Sequence, residues 1–165
     1  MTPEIQQAID RGIREHLHDG DLSQTIPEKN IFNLTEVFNV ISATIATTGN
    51  TDAYFIAPRS MTIVQIDFSA VDALATSDVN YITWTFTNLG QAGAGSTVIL
   101  STADTNTTKT TGGSALAANT KRSLILSATV QDLQVIEGDR IRIRAAATGT
   151  LANTVTFPVY MIKLK

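Results

Sequence analysis

The stretch that decides the fold class is Val135-Ile-Glu-Gly-Asp-Arg-Ile-Arg-Ile-Arg-Ala-Ala-Ala-Thr148. After Gly138, apolar and basic side chains alternate: the apolar set is Ile141, Ile143 and Ala145, and the basic set is Arg140, Arg142 and Arg144. A period of two is typical of a β-strand with one buried face and one exposed face. The alternation therefore predicts an antiparallel strand in an all-β protein.

Short strands separated by turn residues are predicted on either side of this stretch, from residue 34 to the C-terminus. The eight predicted strands are Glu36–Thr47, Asp52–Ala57, Met61–Ser69, Asn80–Asn88, Ser96–Ser101, Arg122–Thr129, Asp139–Thr148 and Asn153–Lys165. Eight strands with one long excursion match a jelly roll, in which two four-stranded sheets pack face to face. An immunoglobulin-like sandwich is the alternative, and it leaves one predicted strand spare.

Alternation also predicts which strand faces are buried. Ile82, Trp84 and Phe86 share one face of their strand, and we expect that face in the core with threonines outside. Leu124 and Leu126 are expected to face inward as well. Pro158 cannot donate a hydrogen bond to a neighbouring strand, so the last strand is expected at a sheet edge or with a bulge.

The first 33 residues are predicted to form a helix and a tether. Thr2 to His18 begins with a helix cap and a proline at the first helical position. Its apolar stripe includes Ile5, Ile9, Ile13 and Leu17. The polar connector Asp19 to Asn33 makes this helix an arm, residues 1–33, on a β-domain of residues 34–165. The alternative is a helix packed on its own domain.

Composition limits the classes of partner. Charged residues are 16% of the chain, against roughly 25% in ordinary soluble domains. A net charge of −3 gives no electrostatic case for nucleic acid as a partner, since nucleic-acid binding calls for a basic patch. With no cysteine, disulfides and thiolate metal sites are excluded. No signal peptide or membrane-length apolar run is visible, so we expect synthesis in the cytoplasm and no membrane partner.

Candidate catalytic and metal-binding groups do not form a recognisable site in the sequence. His16 and His18 are two residues apart in the predicted helix and so do not share a face. The loop carboxylates, among them Asp67, Asp72 and Asp78, are expected to form turns, although a calcium site is the alternative. We therefore predict no catalytic residue, no metal, no cofactor and no enzymatic activity.

Two loops are unusual in composition. The glycine-rich loop of residues 90–95 precedes a predicted strand, whereas a phosphate cradle needs a helix at that point. Thr102 to Thr120 is a low-complexity segment rich in Thr, Ala, Asn and Gly. It is predicted to contribute nothing to the core and to be a flexible tip, or to be ordered only by another chain.

The arginine row is the most specific surface feature. Arg140, Arg142 and Arg144 are three like charges at alternate positions of one strand, and they repel one another unless acidic groups lie opposite. One interpretation is an exposed face that is balanced by neighbouring Asp or Glu. The other is a strip of guanidinium groups that binds carboxylates on a partner protein.

Four fragments of the β-domain resemble a jelly-roll module found in decoration (cement) and head-fibre proteins of tailed bacteriophages. They are Ala57-Pro-Arg-Ser-Met-Thr62, Tyr81-Ile-Thr-Trp-Thr-Phe-Thr-Asn-Leu-Gly-Gln-Ala-Gly-Ala-Gly95, Glu137-Gly-Asp-Arg-Ile-Arg-Ile-Arg144 and Gly149-Thr-Leu-Ala-Asn-Thr-Val-Thr-Phe-Pro158. Similar fragments occur in β-modules of phage tails and other viral surface proteins.

The resemblance implies a structural, non-enzymatic homotrimer on the outer capsid surface of the virion, with the major capsid protein as its partner. It covers roughly residues 34–165 and leaves the arm unmatched. The alternative is a receptor- or glycan-binding β-domain of a phage fibre or tail, with residues 102–120 as its recognition loop.

Overall fold

A computed structural model describes residues 35–165 of the chain. Within these residues nine strands occur in chain order: β1 (Glu36–Ile41), β2 (Gly49–Ile56), β3 (Met61–Ser69), β4 (Tyr81–Asn88), β5 (Thr97–Val98), β6 (Arg122–Leu124), β7 (Gln134–Val135), β8 (Arg140–Thr148) and β9 (Val159–Leu164). Two short 3₁₀ helices, Asp104–Asn106 and Val130–Leu133, complete the regular structure. The all-β prediction is confirmed. The structure has nine strands where eight were predicted, and the additional strand is β7, which is two residues long.

The predicted N-terminal helix, Thr2 to His18, and the connector after it lie outside the described residues. None of the helices between residues 35 and 165 has the length and apolar character needed to span a membrane.

The strands form two antiparallel sheets of a β-sandwich. One has the order β1-β9-β3-β6, with β7 also paired to β3, and the other has the order β2-β8-β4-β5. Four pairings are nested: β1 with β9, β2 with β8, β3 with β6, and β4 with β5. The first half of the chain therefore pairs antiparallel with the second half, as in one long hairpin. This hairpin is coiled so that β8 pairs with β4 as well as with β2.

The core lies between the two sheets and follows the predicted alternation. Ile82, Trp84 and Phe86 of β4 are buried, as are the three inward residues of β8, Ile141, Ile143 and Ala145. Trp84 packs against Phe68 of the other sheet, with ring centroids 5.0 Å apart, and Phe68 packs in turn on Tyr160 at 5.1 Å. Burial raises the pKa of the Tyr160 hydroxyl. Each fully buried aromatic or aliphatic side chain stabilises the fold by about 1.5–3 kcal/mol.

The expectation for the last strand is wrong. Pro158 precedes β9, which begins at Val159 and lies between β1 and β3 in the interior of its sheet. The missing proline N–H is therefore not needed by the sheet, and the Pro158 carbonyl accepts a hydrogen bond from Ser42 N at 3.0 Å. The register irregularity of this sheet lies instead in β3, between Ile63 and Gln65.

The prediction for residues 102–120 is also wrong, because this segment contributes to the core. Leu116 is 3% exposed and pairs with Leu74, and Asn106 and Thr108 are buried. The Asn106 side chain donates to the carbonyls of Ser101 and Ile125 and accepts from Ile125 N, each at 2.8 Å. Polar side chains here satisfy backbone groups that a regular strand would otherwise pair.

Arg122 holds the same segment against β4. Its guanidinium group lies 4.7 Å from the centre of the Trp84 ring. It donates hydrogen bonds to three carbonyl oxygens of the segment, those of Thr105, Thr107 and Ser114. One side chain thus ties residues 105–107 to residue 114 within the excursion, and a cation over an indole face adds attraction.

Replacing Asn106 with Ala should lower the free energy of unfolding by about 1–3 kcal/mol, because the Ser101 carbonyl and the Ile125 N–H lose the hydrogen bonds of a buried amide, and the Ile125 carbonyl keeps only its bond from Ser101 N. Urea unfolding followed by fluorescence of Trp84, the only tryptophan of the chain, measures this difference. Thr105→Ala is the control, since Thr105 is exposed. Equal unfolding midpoints for the two variants would contradict the structural role of this amide.

Candidate interaction face

The arginine row lies on the outer face of the four-stranded sheet, which we call the arginine face. On β8 it carries Arg140, Arg142 and Arg144. The register places these residues opposite Ile56, Tyr54 and Asp52 of β2, respectively. On the other side, Arg142 is opposite Thr87 of β4 and Arg144 is opposite Thr85. The same period of two that buries Ile141, Ile143 and Ala145 turns the arginines outward.

Arg144 is paired within the chain. Its Nε donates to Asp52 Oδ1 at 2.7 Å and its Nη2 to Asp52 Oδ2 at 2.6 Å, a two-pronged arrangement that suits guanidinium and carboxylate. The hydrogen bonds and charge of Arg144 lower the pKa of Asp52. The same contacts raise the pKa of Arg144. This end of the face is therefore electrically balanced.

Arg140 lies beside exposed apolar groups. Its guanidinium group stands 5.2 Å from the centre of the Tyr54 ring. The Tyr54 side chain is half exposed and Ile56 is 61% exposed. Among residues 35–165, Arg140 forms no ion pair. A cation on a ring combined with an exposed isoleucine is a composition typical of binding surfaces.

Arg142 lies between the two other arginines, with Tyr54 and Thr87 opposite it. Its Nε is buried and has no hydrogen-bond partner within the described part of the chain. It also forms no ion pair there. A buried donor without an acceptor costs about 1–3 kcal/mol. The arginine face is thus satisfied at Arg144 and unsatisfied at Arg142.

A small cavity borders the face on the far side of β4. It has a volume of about 150 Å³ and mostly apolar walls. Residues that line it include Thr83, Thr85, Val98, Leu100, Ala103 and Asn106. Thr85 belongs to both features, because it lines the cavity and is the register partner of Arg144.

The glycine-rich loop supports the start of β8. As predicted, a strand follows it, since β5 begins at Thr97. A Cβ on Gly95 would lie 2.8 Å from the carbonyl oxygen of Asn88, so no larger residue fits there without a shift. Leu89 N donates to the Arg140 carbonyl at 2.8 Å, which fixes the loop beside the first arginine of the row.

The loop carboxylates contact neighbouring turns, in agreement with a turn-forming role. Asp72 accepts from the backbone and hydroxyl of Thr156, and these hydrogen bonds lower the pKa of Asp72. Asp139 accepts from the Asn88 amide at 2.7 Å. Buried Asp67 accepts from the Ser123 hydroxyl at 2.6 Å. Within residues 35–165, no three His, Cys, Asp or Glu side chains gather as a metal site would require.

The remaining predicted partner-binding residues, Ile5, Ile9, Ile13 and Leu17, lie outside the described residues, as do His16 and His18. Sequence reasoning missed Tyr54, Ile56 and the cavity. The available signal was the alternation of Asp52, Tyr54 and Ile56, but only the pairing of β2 with β8 places them beside the arginines.

No protein-family model matches this chain, and no curated protein matches it in sequence. Among solved structures, the chain is similar to one described as "Structure of infectious bursal disease virus Gt strain". The TM-score is 0.36 and the identity 9%, over 79% of this chain and 32% of that chain. This chain thus spans about a third of that chain's length, and a likeness at this level carries no argument about function.

Replacing Asp52 with Asn should destabilise the protein at pH 7 by about 0.5–1 kcal/mol, the value of a partly exposed ion pair. Because the folded-state pKa of Asp52 is lowered from its ordinary 3.8, its stabilisation is present above that pH and is lost as the pH falls through the lowered value. The difference between wild type and variant should therefore shrink below about pH 4.

Urea unfolding at a series of pH values measures this difference. Asp104→Asn is the matched control, since the Asp104–Lys109 pair is more exposed at its carboxylate. A difference that stays constant down to pH 2 would contradict the assignment of the stabilisation to the Asp52–Arg144 pair.

Proposed function

We propose that this protein is a non-enzymatic decoration (cement) protein that binds the outside of a phage head as a homotrimer. In this role it contacts neighbouring major capsid subunits and stabilises the shell of the virion. The resemblance of four β-domain fragments to phage decoration and head-fibre proteins supports the proposal. The arginine face, with two arginines unpaired within the described chain, is the observation that carries it.

The proposed fold is a jelly roll. The nesting of β1 with β9, β2 with β8, β3 with β6, and β4 with β5 supports a jelly roll over an immunoglobulin-like sandwich. In this assignment the eight predicted strands correspond to β1–β6, β8 and β9, and β7 is a short addition to the edge of β3.

The net charge of the β-domain supports binding through specific side chains rather than through long-range electrostatic attraction. Residues 35–165 carry nine Lys and Arg and nine Asp and Glu, so the net charge of −3 comes from residues 1–34. A neutral β-domain has little long-range steering toward a partner. Binding then depends on local chemistry, which Arg140 and Arg142 supply beside Tyr54 and Ile56.

A trimer would raise the strength of such contacts. Each arginine face offers few interactions, but three copies held together act at a high effective concentration once one of them is bound. The arm, residues 1–33, would add contacts with the capsid or a sister subunit through Ile5, Ile9, Ile13 and Leu17. These four side chains form one stripe only if the segment is helical.

The double variant Arg140→Gln, Arg142→Gln should lose binding to undecorated heads. Hydrogen bonds to charged groups contribute about 1.5–3 kcal/mol each, so affinity should fall at least 10-fold per site. Co-sedimentation of the purified protein with heads measures it. Lys163→Gln, Lys165→Gln is the control, with the same charge change on the other sheet. Equal retention of both variants would contradict a role for the arginine face.

Deleting residues 1–33 should leave a folded β-domain that no longer decorates heads. Circular dichroism and Trp84 fluorescence report folding, co-sedimentation reports binding, and native mass spectrometry compares the subunit number of the two forms. We expect a trimer for the full chain. A truncated protein that decorates heads normally would contradict the arm's role, and a monomeric full chain would contradict the trimer.

The alternative, a receptor- or glycan-binding domain of a fibre or tail, predicts a different result in the same assay. Protein retained by host cells but not by heads would favour it over the decoration role.

A further inference from the structure

The outer face of the sheet that contains β1 and β9 carries exposed apolar residues. In the edge strand β1, Ile41 is 74% exposed and Val37 is also exposed. The register pairs Ile41 with Val159 of β9. Val159 and Met161 are half-buried and alternate with the buried residues of that strand. Single exposed apolar residues are common on protein surfaces, but neighbouring ones that form a patch mark interaction sites.

The exposed apolar surface continues into the loops at one end of this sheet. Phe157 is 72% exposed and precedes Pro158, whose carbonyl accepts a hydrogen bond from the residue after Ile41. Val71 is exposed as well, and its N–H donates to the carbonyl of the residue before Phe157 at 3.2 Å. We call these residues together the apolar patch: Val37, Ile41, Val71, Phe157, Val159 and Met161.

Phe157 is held in a backbone conformation that its residue type disfavours. Its φ of 49° lies in the left-handed region, where a Cβ crowds the following carbonyl oxygen. Among residues 35–165, the other non-glycine residue with a positive φ is Asn119, a type that tolerates this region. Because the Phe157 ring is largely exposed, it gains little from packing in the described domain. A contact outside that domain would account for a phenylalanine at this position.

Charge distinguishes the apolar patch from the arginine face. The acidic groups around the patch are engaged within the domain, since Asp67 and Asp72 accept hydrogen bonds from hydroxyl groups. Glu36 at the start of β1 forms an ion pair with Arg59, and Lys163 is half-buried. The patch therefore offers a partner little charge, whereas the arginine face offers two arginines that form no ion pair within residues 35–165.

This difference favours a second copy of the chain as the occupant of the patch. Residues 35–165 carry equal numbers of basic and acidic residues, so two such domains do not repel each other through net charge. Two arginine faces brought together would place like charges against one another, which is unfavourable. Two apolar patches brought together remove apolar surface from water on both sides, as in homo-oligomer interfaces, whose cores are depleted in charge.

We propose that copies of this chain associate through the apolar patch, with Ile41 and Phe157 at the centre of the contact. Because β1 is an edge strand, these residues can approach a symmetry axis. Around a three-fold axis, the residues nearest the axis meet their own counterparts in both neighbours. This inference rests on the proposed function in taking the copies to form a trimer, and it assigns the surface that forms it. The arginine face, on the opposite side of the sandwich, is then left for the capsid.

The test compares the full chain with its Ile41→Asp variant by native mass spectrometry and sedimentation velocity over a range of concentrations. Ile41→Asp should raise the dissociation constant of self-association at least about 10-fold, because the contact would bury a carboxylate without a partner. Ile56→Asp is the matched control and should change it less than about 2-fold. Ile56 is likewise the exposed last residue of an edge strand, β2, but on the opposite outer face. Equal association of the two variants would overturn the proposal.

A substitution at Phe157 separates association from folding. Asparagine tolerates the left-handed region, so Phe157→Asn should have a urea midpoint at least equal to that of the wild type when both are measured at concentrations at which the copies are dissociated. Loss of the ring should nevertheless weaken association at least about 5-fold. A lower midpoint with unchanged association would show that Phe157 serves its own domain, and would overturn the proposal.

A single introduced cysteine identifies the occupant, since the chain has none. In Ile41→Cys, alkylation by iodoacetamide under reducing conditions should slow as the protein concentration rises through the dissociation constant. In Ile56→Cys the rate should stay constant. Protection of the Ile41→Cys thiol at every concentration would indicate cover from the same chain, and protection only on adding heads would indicate the capsid protein. Either of these two results would overturn the proposal.

The self-association and head-binding assays separate the two proposals. Association that depends on Ile41 and Phe157, without retention on heads, would contradict the decoration role and keep the apolar patch as the contact between copies. A trimer that is unchanged in Ile41→Asp and is retained on heads would overturn the assignment of the patch and leave the decoration role.

Discussion

The two-residue period of β8 is the constraint on which the rest of the structure depends. The core needs Ile141, Ile143 and Ala145 between the sheets, so the intervening arginines must face outward. Because β8 is the inner strand between β2 and β4, both neighbours are held in register with those arginines. A slip of one residue would bury three guanidinium groups, at a cost no pairing in this core could offset.

The same register sorts the arginines into different roles. Asp52 falls opposite Arg144 and neutralises it, whereas Tyr54 falls opposite Arg142 and offers no carboxylate. A row of equal residues in the sequence thus becomes one internal ion pair, at Arg144, and two arginines that form no ion pair within residues 35–165. The difference arises from two alternate positions of β2, Asp52 and Tyr54.

Residues 102–120 pack at the edge of the core mainly through polar side chains, whereas β4 and β8 pack through apolar faces. Their threonines and asparagine supply hydrogen bonds to backbone groups, and Arg122 gathers three carbonyl oxygens while lying on Trp84. Low apolar content therefore did not mean an absence of structure. The same folding-back of the segment leaves the small cavity beside Thr85.

The sequence alone determined what depends on local periodicity: the all-β class, most of the strands, and the buried faces of β4 and β8. Side-chain direction in a strand is set by neighbours along the chain, so alternation is enough to predict it. Only the tertiary structure decided the pairing of β2 with β8, the ordering of residues 102–120 and the interior place of β9. These depend on contacts between residues far apart in sequence, and no local pattern records which distant strand lies alongside.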